Sequence, residues 1–187
     1  MRNMAFPSTE TLTSILAPVV AAAGLDVEGI KTTKAGKKSV VAIAVDADIP
    51  PTTDTLEKLS QDISQLFDEA EERGDLNFGP GYTLEVTTPG LDHPLTLPRH
   101  WRRNQGRLIT LFDGNKKQTA RLGALNDTGS LAVVILNQGK QRIINTIEVA
   151  DYPTTMVEIE FAKPAAEEAQ LAALTFDEAV ALQRRED

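Results

Sequence analysis

The stretch TPGLDHPLTLPRHWRRNQGR, residues 88–107, separates two different sequence patterns. Before it, Tyr82, Leu84 and Val86 alternate with Thr83, Glu85 and Thr87, the period of a half-buried strand. After it come short apolar runs divided by turn residues. Pro89, Gly90 and Pro94 impose a sharp turn between the two, since proline fixes φ and glycine permits tight geometry. Arg99, Arg102, Arg103 and Arg107 then crowd around Trp101, the single tryptophan of the chain.

The turn predicts two small domains. Upstream, Leu12, Ile15, Leu16, Val19 and Ala23 recur at helical spacing over residues 8–23, with Gly24 as a stop and Pro18 as a potential kink. Residues 25–34 and 39–46 read as a hairpin with a basic tip at residues 34–38. Asp54, with Glu57 three residues on, marks the start of a second helix, whose stripe is Leu56, Leu59, Ile63, Leu66, Phe67 and Ala70. With the strand at 82–88, residues 1–92 form an α/β domain.

Residues 93–103 read as a basic linker. Beyond it GRLITLF (106–112), QTARLGALN (118–126), SLAVVIL (130–136), QRIINTI (141–147) and MVEIEF (156–161) predict five strands. Five short strands over residues 104–161 suggest a small barrel, because closure removes exposed edges. Residues 162–187 are an acidic, Ala/Glu-rich tail, either disordered or helical. The fold class is therefore α+β, an α/β domain followed by a small β-barrel.

With 187 residues and no cysteine, stability rests on packing, and thiolate chemistry is excluded. No long apolar run or secretory leader stands out, so the chain reads as cytoplasmic and not membrane-bound. The net charge of −8 opposes general affinity for nucleic acid, but it is unevenly spread. Residues 1–89 carry seven basic and fourteen acidic side chains, whereas residues 90–161 carry nine and seven. The arginines thus lie in the one segment that is not acidic.

Asp92, His93 and His100 are the one grouping of imidazoles with a carboxylate, and the adjacency of Asp92 and His93 favours a turn over proton sharing. No nucleophile elbow, zinc-protease pair or phosphate loop occurs. Asp46 with Asp48, and Glu71 with Glu72, lack calcium-loop spacing. We assign no catalytic, cofactor or metal residues. Arg99, Arg102, Arg103 and Arg107 are instead candidates for phosphate contact, extended by Lys116, Lys117 and Arg121 if the first turn of the barrel folds beside them. Trp101 offers either a stacking plane for a base or an anchor for the hinge.

The strings LEVTTPGLDHPL (84–95), RHWRRN (99–104) and GR (106–107) closely resemble the signature of the ribosome maturation factor RimP family. The order of elements agrees over residues 8–161. The resemblance implies a KH-like first domain, an Sm-like barrel and a non-enzymatic role in assembling the small (30S) ribosomal subunit. It also implies association with the free small subunit, its rRNA and small-subunit ribosomal protein twelve. His93 stands where family members commonly carry arginine, so a phosphate contact there would be weak or pH-dependent. A module acting on free RNA is the rival reading, and a monomer is expected.

Overall fold

Helix α1 (Thr9–Ala22) begins where the Ser8 hydroxyl accepts the Thr11 amide, and it buries Leu12, Leu16 and Val20 at four-residue intervals. Pro18 lies inside it. Gly24, at φ 74°, turns the chain out of the helix in the left-handed region that suits glycine. The computed structural model describes residues 5–35 and 37–186. These fall into two compact units divided between Pro89 and Gly90.

In the first unit β1 (Asp26–Thr33) pairs antiparallel with β2 (Val40–Asp46), with a register shift between Val27 and Gly29. Helix α2 (Thr53–Glu72) follows. Its cap is Thr52, whose hydroxyl accepts the Thr55 amide, and not Asp54, which lies one residue inside the helix. The threonine wins because Thr52 still has extended backbone, as an N-cap requires. The helix carries the chain across to β3 (Thr83–Thr87), which lies parallel to β2, giving the sheet order β1-β2-β3. Leu59, Ile63, Phe67 and Ala70 of α2 and the α1 residues share one core with Val41, Ile43 and Val45 of β2. Phe78 and Tyr82 close its end, their ring centroids 4.2 Å apart.

The second unit opens with the short helix α3 (Pro98–Arg103) and continues through β4 (Leu108–Phe112), β5 (Lys117–Leu125), β6 (Leu131–Gln138) and β7 (Gln141–Glu148). A single 3-10 turn (Val149–Asp151) leads to β8 (Met156–Val157). The strands form one antiparallel sheet in the order β7-β6-β5-β4-β8. Among the described residues β7 and β8 do not pair, so the expected closed barrel is not formed. The reason lies in β8, which pairs with β4 only at Met156 and Val157. Beyond them Glu158 accepts from the Thr110 hydroxyl and Glu160 takes Arg121, while Ile159 and Phe161 project outward, 65% and 97% exposed.

Of the two states expected for the C-terminal segment, the described residues 162–186 adopt the helical one. They form α4 (Ala166–Ala173) and α5 (Phe176–Glu186), which pack on β5, β6 and β7. Ala172 and Ala179 meet Val133, Ile135 and Ile144, with Leu171, Leu174, Phe176 and Leu182 partly buried around them. Alanine at the contact points lets both helices lie close to the sheet. Strand β6 is consequently buried on both faces from Ala132 to Leu136: Ala132 and Val134 face one core, Val133 and Ile135 the other.

Candidate nucleic-acid interface

Each expected contact residue occupies a defined place on the second unit. The chain enters through Gly90, beside which the exposed Asp92 carboxylate lies. Asp92 and His93 are exposed, with His93 Nε2 3.8 Å from Asp92 Oδ1, and Pro94 is half-buried beside them. Leu95 then turns inward, its amide donating to the Thr155 carbonyl at 2.8 Å.

Pro98 starts α3, its ring occupying a position where no amide donor is needed. His100 folds back so that its Nδ1 accepts the amides of Thr96 and Leu97, each at 3.2 Å. His100 is thereby a helix cap. Trp101 is 1% exposed and packs with Ile109, Leu111, Leu122 and Val134, while its indole N–H donates to the Leu95 carbonyl at 3.2 Å. Its ring has no open face for a base, and residues 93–103 fold as part of the second unit, not as a linker. The sequence showed an aromatic among arginines but not that the flanking Leu95 would turn the same way.

The burial of Trp101 fixes where the arginines stand. Arg102 is exposed, Arg99 and Arg103 are half-buried, and Arg107 is exposed just before β4. Gln105 secures the far end of α3 by donating to the Ala172 carbonyl at 2.8 Å. A groove of about 780 Å³ opens beside Arg102, with Pro98, Leu125, Asp127, Leu174 and Phe176 among its walls.

Two expected extensions of this surface fail. Lys116 and Lys117 are exposed at the β4–β5 turn, which Asp113 shapes by accepting the amides of Asn115 and Lys116 at 2.8 Å. Those two amides hold the Asp113 carboxyl below its ordinary range, that of Lys116 contributing most. In the hairpin Lys117 pairs with Phe112 and Arg121 with Leu108, so the lysines stand four residues, roughly 14 Å, from the Arg107 end. They are not brought beside α3.

Arg121 is not a surface residue at all. Its side chain is 3% exposed and donates from Nε to Glu168 Oε1 at 2.8 Å and from Nη1 to Glu160 Oε2 at 2.6 Å, with Nη2 reaching Glu160 Oε1. Nη1 also meets the Gly106 carbonyl at 3.2 Å. The fork-to-fork pairing with Glu160 lowers that carboxyl's pKa and raises the pKa of the guanidinium. Asn137 completes the network by donating to Glu168 Oε2 at 3.3 Å. Arg121 therefore clamps α4 onto β5. Glu160 and Glu168 went unrecognised because nothing in the sequence places residues 39 and 47 positions away opposite a strand arginine.

Among the described residues no group of three or more His, Cys, Asp or Glu side chains is arranged to hold a metal ion, and no helix is long and apolar enough to cross a membrane. The fold and this surface define a two-unit α+β protein that presents a short, arginine-bearing helix pinned by a buried tryptophan. The family described as the RimP N-terminal domain matches residues 15–92. A curated relative from Corynebacterium diphtheriae, named ribosome maturation factor RimP, is 50% identical over 177 residues, covering 95% of this chain and 96% of its own. Relatives of the same name from Corynebacterium aurimucosum and Corynebacterium kroppenstedtii are 51% and 39% identical, covering 93% and 94% of this chain and 94% and 99% of theirs. The chain belongs to the ribosome maturation factor RimP family.

Proposed function

We propose that the protein is a cytoplasmic, non-enzymatic maturation factor for the small ribosomal subunit. It acts as a monomer on the free subunit, meeting rRNA through the α3 arginines and small-subunit ribosomal protein twelve through acidic surface. In this reading the first unit is KH-like, and the second is Sm-like with an open sheet. The observation that carries it is the fixed placement of Arg99, Arg102 and Arg103 on a helix held by Trp101, in a chain otherwise dominated by acid. Guanidinium groups held by a rigid element reach phosphate oxygens at low entropic cost. An acidic body favours encounter with strongly basic ribosomal proteins while excluding non-specific nucleic acid. The names of relatives that match nearly the whole chain support a role in ribosome maturation.

Sedimentation with free small subunits, large subunits and joined ribosomes at two salt concentrations tests it. Salt-sensitive co-migration with the free small subunit alone is expected. Binding to naked RNA as tight as to the subunit would favour a module acting on free RNA, and absence of co-migration with any particle would overturn the assignment.

A further inference from the structure

The first unit is acidic, yet its cations are concentrated at one end. Six of its lysine and arginine side chains are described, and four of them, Lys31, Lys34, Lys37 and Lys38, lie on the β1–β2 hairpin. The other two are neutralised locally, Lys58 by Asp62 and Arg73 by Asp75, each at 3.0 Å. The four hairpin lysines are all exposed and have no ion-pair partner among the described residues.

The hairpin is built to keep that charge apart from the surrounding acid. Asp26 and Asp46 face each other at its open end, six pairings away from the tip, where Thr33 meets Val40. That separation is roughly 20 Å by strand geometry, about twice the screening length of about 10 Å at moderate salt. The carboxylates that come closer are Glu28, three residues before Lys31 on β1, and Glu85, which pairs with Ala42, whose other neighbour is Lys31. The tip is also held in place. The Lys38 amide closes a turn on the Ala35 carbonyl at 2.9 Å, and the buried Ser39 accepts the Thr83 amide at 2.8 Å. Lys34 Nζ lies 5.2 Å from the centroid of Phe6, which packs edge-on against Phe78 of the core. This contact positions the ammonium without cancelling it.

We infer that the Lys31–Lys34–Lys37–Lys38 hairpin is a second RNA-contact site, one that grips the phosphate backbone without reading bases. Lysines are flexible point charges suited to phosphate, and the tip carries no aromatic side chain on which a base could stack. Ala35 is the sole apolar side chain between Lys34 and Lys38, too little to anchor the hairpin in lipid. The site adds a sequence-independent, salt-sensitive hold from the first unit to the contacts proposed for α3, and it rests on the reading of the protein as a binder of rRNA.

The test compares the full chain with a Lys31→Gln, Lys34→Gln, Lys37→Gln, Lys38→Gln variant and with the matching four Lys→Arg changes, using protein-free small-subunit rRNA as probe. Affinity is measured between about 50 and 200 mM salt. Four phosphate contacts predict that the glutamine variant loses about 3 from the slope of log affinity against log salt, and that the arginine variant keeps it. An unchanged slope in the glutamine variant overturns the inference. Lysine-dependent binding to phosphatidylserine vesicles in place of rRNA overturns it too. If the unaltered protein co-sediments with small subunits but binds no naked rRNA, the inference fails while the maturation role stands. If it binds rRNA through the lysines but joins no ribosomal particle, the maturation role fails and this site stands.

Discussion

Arg121→Ala should destabilise the second unit while sparing the first. The guanidinium makes four polar contacts to Glu160, Glu168 and Gly106, and its loss leaves the Glu168 carboxylate, 7% exposed, with Asn137 alone. Removing one partner of a buried ion pair costs about 3–5 kcal/mol, because the remaining charge is stranded away from water. Trp101 is the sole tryptophan and sits in the second unit's core, so its fluorescence during urea unfolding reports that unit specifically. With a urea dependence of about 2 kcal/mol per molar, the midpoint should fall by roughly 1.5–2.5 M. The double variant Arg121→Met, Glu168→Leu should recover most of the loss, since apolar replacement of a whole buried pair is near neutral. Lys140→Ala, at an exposed turn position, should shift stability by under about 0.5 kcal/mol. A fall of less than about 1 kcal/mol for Arg121→Ala, or a double variant as unstable as the single, would refute the clamp.

Truncation after Phe161 should expose Val133, Ile135 and Ile144, giving strong binding of an apolar dye and no cooperative Trp101 transition; a monomer with the original midpoint would contradict the packing. Acid should weaken the second unit through Glu160. Its folded pKa is depressed, so the stability it contributes is present above the ordinary value of 4.5 and is lost as pH falls through the lowered one. Glu160→Gln should flatten the decline of the urea midpoint below pH 4.5, and an unaltered profile would remove the pairing from the account. Arg102→Glu with Arg103→Glu should weaken co-sedimentation with small subunits and reduce its salt dependence, whereas undiminished co-sedimentation would remove α3 from the binding surface.

Local periodicity made much of the first unit legible. Leu59, Ile63 and Phe67 mark the buried face of α2, and Gly24 ends α1 as its position implied. The strands of the second unit also follow from turn residues, because glycine at 114, 129 and 139 takes positive φ. What stayed hidden was long-range. Alanine and glutamate in 162–187 suggested solvation, but Ala172 and Ala179 are contact residues precluded from recognition by their small size. A sign of their partner was present: residues 131–136 are apolar at every position, which a strand shows when both of its faces are covered. Arg121 reads as a phosphate contact in the sequence because its partners Glu160 and Glu168 lie far along the chain. The arginines on α3 were legible as a group, while the inward turn of Trp101 depended on the Leu95–Thr155 contact, 60 residues apart in the chain.

The order of synthesis gives the covering helices a further consequence. The strands of the second unit emerge before α4 and α5 exist, so a sheet with Val133, Ile135 and Ile144 bare and Arg121 without Glu168 must wait for the final helices. The first unit is a compact body that ends at Pro89 and can close as soon as β3 has left the synthesising ribosome. Each new molecule thus passes through an interval with one half finished and the other exposing an apolar face, when it is most prone to aggregate.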